Sequence, residues 1–501
     1  MMGAAIKSQT SFQDIHSSKW WSMLVIGMGV FMGTLDNSSV NVSLPTLVEE
    51  LNTDFATIQW VVLGYILVIT SMMLSAARLG DMVVKKKLYN WGLLIFTLGS
   101  TLCGFAPSVG WLIAFRIFQG LGAVVLQALG AAIVVEVFPP NERGRALGII
   151  GGIVSVGIAS GPAIGGIIIG LMGWRWVFLI KLPIGLLIFI ASLLFLPSKA
   201  PKQTDQTFDI TGALIMLCTL ICFALGMTMG QNSGFGNEVV RMLLAASGIG
   251  LLAFLVIENK MKQPIVDLGL FRNLQFSLNL IMGIMSFMVM GGMFILPFYL
   301  QLVKGYSTLQ MGLMMMASPV AMGVVAPLAG SMSDHFGTRK ISIIGLFVII
   351  AGCFSVSMLT ADTTVIGYYI RVGIVGLGMG CFQSPNNSAI MGAAPPERLG
   401  VASGLMALSR NFGNTIGMPM MGAICTAGVM ASAKLPELTN ITKAPAPALV
   451  SGITGTFRMA SIIMFISTVL YLIILWIERS RNARRIPEIG LKKQESASRE
   501  D

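Results

Sequence analysis

Charge is scarce in this chain. Only 11% of its 501 residues are Asp, Glu, Lys or Arg, where about a quarter is usual for a soluble domain, so a water-soluble globular or disordered protein is excluded. Histidine is scarcer still: there are two, neither in a helical pair motif, and no metal site is expected. The six cysteines are scattered through apolar segments. Cys218 and Cys222 share a helix face without a His or carboxylate beside them, so all six read as small buried apolar groups. No cluster of catalytic type stands at either end of an apolar run, which argues against an enzyme and calls for no cofactor. Long polar stretches are missing too. The longest lie near 431–453 and 479–501, too short for a soluble signalling domain.

What the chain does have is apolar sequence. Hydrophobic residues make up 55% of it, and the mean hydropathy is +0.81. About fourteen apolar runs, each of about 20 residues or more, can cross roughly 30 Å of hydrocarbon. They fall near 22–44, 56–77, 88–106, 111–138, 145–172, 175–196, 210–230, 239–257, 275–300, 310–331, 340–360, 366–392, 399–429 and 454–477. The first is too long, and too poor in a cleavage site, to be a removed signal peptide. Lys and Arg gather in alternate connections, among them Lys85, Lys86, Lys87, Arg143, Arg145, Arg339 and Lys340. By the positive-inside rule this predicts a multi-pass protein of the cell membrane with both termini in the cytoplasm. The net charge of +11 is then a topological effect with anionic lipid as its partner, and no soluble segment concentrates it as a nucleic-acid site would.

The chain also repeats itself. Asp81 and Asp334, each in a basic loop after a span, differ by 253; Arg116 and Arg371 differ by 255, as do Arg143 and Arg398 in two Pro-Pro segments. A nearly constant offset points to duplication. The reading is an all-α membrane protein of six plus two plus six spans. It has one bundle over 1–198, two additional helices with cytoplasmic linkers over 199–274, a second bundle over 275–478, and a basic tail over 479–501.

The run Ser155 to Gly166 carries the pattern G-x-x-x-G-P-x-x-G-G at Gly157, Gly161, Pro162, Gly165 and Gly166. Glycines at helical spacing strip one face of side chains and let a second helix approach closely. The proline removes a donor and bends the helix. A smooth, bent helix suits two halves that rock against each other. This string resembles the fifth-helix motif of the drug:proton antiporters of the major facilitator superfamily. Leu35 to Pro45, Gly80-Asp81 with the lysines that follow, Arg116 to Gly122, and Gly173 to Phe178 resemble that family's other motifs, in order. The resemblance, to the fourteen-helix branch, implies a major facilitator fold with its substrate site between the halves. Two positions depart from the pattern: Val84 stands where a glycine is usual in the loop, and Lys181 where asparagine is usual.

A charge at the bilayer centre costs at least about 2.5–3.5 kcal/mol, so each is a functional candidate. Asp36 lies about 15 residues into the first run and Arg116 about five into the fourth, at similar depth. The resemblance implies that both helices line a common cavity. A carboxyl there can be switched between protonated and ionised states by moving the arginine, the competing reading being a fixed ion pair. Glu136, near the other end of the fourth run, is either a second proton site or a solvated carboxylate. Asn37, Asn41 and Gln119 can hold these groups or simply pack. Arg371 mates with Arg116 by the repeat, yet no acid of the second half matches Asp36. Lys181 either snorkels outward, the favoured reading, or meets an anionic substrate. Arg410 reads as a packing or gating contact. The resemblance implies that Asp81, with Asp334 as its mate, latches the helices in one state.

These readings predict a monomeric, proton-coupled secondary transporter that exports amphipathic organic compounds or drugs by alternating access. The alternative is a carrier of an endogenous metabolite, glycoside or lipid with anionic character. The two additional helices, outside both repeats and uncharged at their centres, are expected to be dispensable for the core pathway.

Overall fold

The computed structural model describes residues 2–139, 142–198, 210–261, 268–395, 399–433 and 440–497, and these are helical with no strand among them. The helices are α1 Met2–Glu50, α2 Phe55–Ile58, α3 Trp60–Met82, α4 Lys85–Gly104, α5 Val109–Val137, α6 Arg143–Met172, α7 Arg175–Leu179 and α8 Lys181–Phe195. They continue as α9 Ile210–Ser233, α10 Glu238–Lys260, α11 Leu274–Met290, α12 Leu296–Phe298, α13 Thr308–Met315, α14 Ala317–Phe336, α15 Thr338–Val356, α16 Val365–Ala393, α17 Leu399–Ala433 and α18 Ala446–Ala497. Thirteen spans among the described residues are long and apolar enough to cross a membrane. The run expected near 88–106 is α4. It is not among the thirteen, because Lys85 to Lys87, Asn90 and the ring residues beside it dilute its apolar character.

Local chemistry sets the breaks. Asp54 caps α2 by accepting hydrogen bonds from the Ala56 and Thr57 amides at 2.9 and 3.0 Å. Ser307 and Gln310 form a reciprocal capping box at the start of α13. Gly337, at φ 90°, turns the chain between α14 and α15 in a conformation other residues resist. Helix α11 gives way at Gly291 to a tighter 3₁₀ turn, at the place that the repeat aligns with Asp36.

Helices α1, α3, α4, α5, α6 and α8 pack among themselves, as do α11 and α14 to α18. Between these sets α6 meets α14 and α3 meets α17, while the short helices α12 and α13 pack on α1 and α13 on α6. Lipid-facing character is plain outside: Trp20, Trp21, Trp91, Trp111 and Trp476 are exposed, as amphipathic rings at membrane interfaces are. One end of the molecule gathers Lys19 against Glu142, Lys85 against Glu136 and Lys86 on the Leu193 carbonyl; we call it the basic end.

Helix α9 touches both sets. It packs against both α3 and α17. Its Gln231 exchanges hydrogen bonds with Gln59 at 3.0 and 3.4 Å and donates to the Pro419 carbonyl of α17 at 3.3 Å. Trp60 Nε1 donates to Thr228 at 3.1 Å. The linkers at 199–209 and 262–267 lie outside the described residues.

Candidate functional site

Asp36 sits on α1 with both carboxylate oxygens engaged. Arg116 Nη1 on α5 meets Oδ2 at 2.6 Å, and Lys181 Nζ at the start of α8 meets Oδ1 at 2.6 Å. Gln119 Nε2 donates to Oδ1 at 3.1 Å, while its own oxygen accepts from Arg116 Nη1 at 2.8 Å. Arg116 Nε donates to the Val61 carbonyl at 2.9 Å, and its guanidinium lies over the Tyr65 ring at 4.1 Å. Lys181 donates to the Val177 carbonyl at 2.7 Å and lies over Phe178 at 5.2 Å. Asp36 and Arg116 side chains are fully sealed, and Lys181 almost so. Two cations therefore share one carboxylate away from water, an arrangement that stands only because every charge has a partner.

Lys181 corrects the sequence reading. It neither snorkels nor faces a substrate cavity. The chain breaks between α7 and α8 at Ile180, and the first residue of α8 turns inward to Asp36. Gln119 likewise belongs to this charge cluster and is buried in it.

Successive residues of a helix point about 100° apart, and α1 uses this to present three faces. Asp36 faces the charge cluster. Ser38 and Ser39 face α6, where Ser38 Oγ donates to the Gly157 carbonyl at 3.2 Å. Asn37 and Asn41 face a cavity of about 120 Å³, whose other walls include Val62 and Ile66 of α3, Met290 of α11, and Asn414 and Met418 of α17. Neither Asn37 Oδ1 nor Asn41 Oδ1 accepts a hydrogen bond from a described residue.

The glycine string is a two-sided contact. A Cβ on Gly157 or Gly161 would collide with Thr34 or Ser38 of α1, and one on Gly165 would lie 3.1 Å from the Ser39 carbonyl oxygen. On its other side, a Cβ on Gly166 would lie 3.1 Å from the Gly312 Cα, while Gly312 closes on the Pro162 carbonyl. The same helix thus packs flush against its own set and against α13. Phe55 stacks on Phe294 at 5.6 Å and meets Phe298 edge-on at 4.9 Å, and Asn440 donates to the Thr53 carbonyl at 3.1 Å. These contacts close the end opposite the basic one.

The remaining candidates are dispersed. Glu136 is paired with Lys85 at 3.5 Å near the basic end, far along α5 from Asp36. Arg371 is half-buried on α16 and donates to the Gly367 carbonyl at 3.0 Å. It lies outside the cavity wall and meets no carboxylate among the described residues. Asp334 is exposed on α14. Asp81 closes α3, and its side chain lies outside the described residues. No group of His, Cys, Asp and Glu suited to a metal occurs among the described residues.

The family described as Major Facilitator Superfamily matches residues 26–418, and the chain belongs to it, a family of transporters. It is 37% identical over 401 residues to the riboflavin transporter RibZ of Clostridioides difficile, covering 80% of this chain and 86% of that one. It is 31% identical to the multidrug resistance protein Stp of Mycobacterium tuberculosis, covering 82% and 76%. It is 30% identical to the multidrug transporter protein MdtP of Bacillus subtilis, covering 81% and 75%. In fold it is similar to a bacterial homolog of the human lysosomal transporter Spinster, with TM-score 0.68, 15% identity, and 91% and 96% of the two chains covered.

Proposed function

We propose that this chain is a proton-coupled secondary transporter of amphipathic organic solutes, working by alternating access. In this reading α4 is a fourteenth span, the helices divide six plus two plus six with domains at 1–198, 199–274 and 275–478, and both termini are cytoplasmic. The observation that carries it is α1. One helix holds the sealed Asp36 cluster on one face, the cavity asparagines on the next and the flush glycine seam on the third, so a tilt of α1 changes all three together. When α1 moves, Asp36 leaves one of its two cations and its carboxyl takes a proton; on return it releases it. Asp36, Arg116, Lys181 and Gln119 form the proton-handling cluster. Gly157, Gly161, Pro162, Gly165 and Gly166 form the sliding seam, and Asp81 and Asp334 the latch at the basic end. The closure around Phe55 then corresponds to an inward-facing state.

Drug export is supported by the resistance proteins among the relatives. Carriage of a metabolite such as riboflavin has its own support, in the more similar riboflavin transporter and in a cavity wall that carries amides and no carboxylate. A transport screen in proteoliposomes with an imposed pH gradient tests both, using cationic dyes, riboflavin and organic anions. Gradient-driven flux of any one class supports the proposal; flux of none, with the protein folded, contradicts it.

A further inference from the structure

The described cavity wall lacks the negative charge of a site built for cationic drugs. Asn37, Asn41 and Asn414 supply its polar wall, and Met290, Met293, Met315 and Met418 much of the rest. Asp36, one residue from Asn37, is sealed behind Arg116 and Lys181 and offers no free oxygen. A cation entering this space meets no counter-charge among the described lining residues.

Arg410 supplies the opposite charge. It lies about 11 residues into α17, roughly 17 Å along the helix at 1.5 Å per residue. Arg410, Asn414 and Met418 stand at i, i+4 and i+8, one face of a helix, and the last two line the cavity. Arg410 therefore stands one turn from that wall toward the basic end. It is half-buried. No hydrogen bond, ion pair or ring contact joins its guanidinium to another described residue, whereas Arg116 has Asp36, Gln119 and the Val61 carbonyl on its Nε and Nη1. A guanidinium kept in a membrane span without a partner is costly, and its fork suits carboxylate or phosphate. Its neighbour Ser409 turns to Gly283 of α11 and Asn411 to Met73 of α3, which directs Arg410 between those two helices, one turn from the cavity wall.

We infer that Arg410 and the asparagine wall form an anion-recognising subsite, which takes an amphipathic solute bearing a carboxylate or phosphate on Arg410 and hydrogen-bond donors on Asn37 Oδ1 and Asn41 Oδ1. This names the substrate class of the cavity and rests on the transport reading above. The same chemistry could come from the headgroup of an anionic lipid.

The test reads charge at the site without knowing the solute. Asn414→Cys is placed in the full chain in nanodiscs of zwitterionic lipid. It is reacted with an anionic (sulfonatoethyl) or a cationic (trimethylammonioethyl) methanethiosulfonate, and labelling of the peptide holding position 414 is measured by mass. The ratio of anionic to cationic rates should fall about tenfold on adding Arg410→Gln and persist with Arg410→Lys, as a focused charge in a cleft requires. An unchanged ratio in Arg410→Gln overturns the inference. Met418→Cys reports on the same cavity if Asn414→Cys does not fold. Repetition with phosphatidylglycerol separates the two sources. A preference that persists assigns the subsite to a solute, and one that the lipid abolishes assigns it to a headgroup; both keep the anion site. If the wild-type protein drives no flux on a pH gradient while the reagent preference holds, the transport reading fails and this one stands.

Discussion

Lys181 and Arg116 approach the two oxygens of Asp36 at the same distance, 2.6 Å each, from helices α8 and α5. The carboxylate is thus shared between two cations, and the sealed cluster carries one positive charge in surplus. That surplus decides what each substitution does.

Lys181→Met removes the surplus and keeps the Asp36, Arg116 and Gln119 bonds. The folded protein should be as stable as the wild type or more so, since the desolvation of one buried cation is relieved and Asp36 keeps Arg116 as its partner. Proton-driven flux should nevertheless fall at least about tenfold, the effect of about 1.4 kcal/mol on the transport barrier. A thermal midpoint several degrees lower with normal flux would make Lys181 a structural prop.

Asp36→Asn leaves two sealed cations without a carboxylate, a loss of about 3–5 kcal/mol for breaking a buried pair. Adding Lys181→Met should recover much of that stability without recovering coupling. Thermal unfolding of the single and double variants checks this, and simple additivity of their effects would show that the two groups do not interact.

The first half of this cluster was legible in the sequence, and the rest was not. Asp36 and Arg116 come together because counting residues along two apolar runs puts them at equal depth. Lys181 escaped because periodicity assumes one continuous helix, and the break at Ile180 re-aims the next side chain. Gln231 escaped for a different reason. Helix α9 is apolar all round, so nothing in its pattern says which face meets Gln59 and α17. Arg371 shows the limit of repeat arithmetic: the offset that pairs it with Arg116 is real, but the acid it would need is replaced by the 3₁₀ turn at Gly291.

Gln231→Leu should lower stability by about 1–3 kcal/mol, because it leaves the buried Gln59 side-chain oxygen without its donor. Removing α9 and α10 together should then lower the thermal midpoint, a loss of stability distinct from the dispensability expected for the core pathway. A deletion that keeps the wild-type midpoint would show that α9 is peripheral despite its contacts.

Gly166→Val places a branched side chain against Gly312 and the Thr308 carbonyl. The end opposite the basic one should no longer close. A membrane-impermeant thiol reagent applied from that end should reach Asn41→Cys at least about tenfold faster, the shift that about 1.4 kcal/mol against the closed arrangement gives. Equal rates in both backgrounds would reduce the seam to ordinary packing.

Asp54 lies outside the spans. Burial alone would raise its carboxyl, but hydrogen bonds from the Thr57 side chain and amide, from Asn232 and from the Ala56 amide hold it below the ordinary carboxylate value. Its contribution is therefore complete above the unfolded value of about 3.9 and is lost as pH falls through the lower folded one. Asp54→Ala should cost about 1 kcal/mol of stability and Asp54→Asn much less, since asparagine caps a helix as well. Equal losses in thermal midpoint for the two variants would contradict the cap.

In the proposed cycle the Asp36 cluster carries the proton. The direct measurement is proton movement itself: a solute gradient is imposed across proteoliposomes holding the purified chain, and an entrapped pH dye reports the lumen. A dye response is expected with the wild-type protein for at least one solute class, and none with Asp36→Asn or Lys181→Met under the same gradient. Wild-type proton flux in Asp36→Asn, or solute flux through the wild-type protein with no dye response, would contradict it.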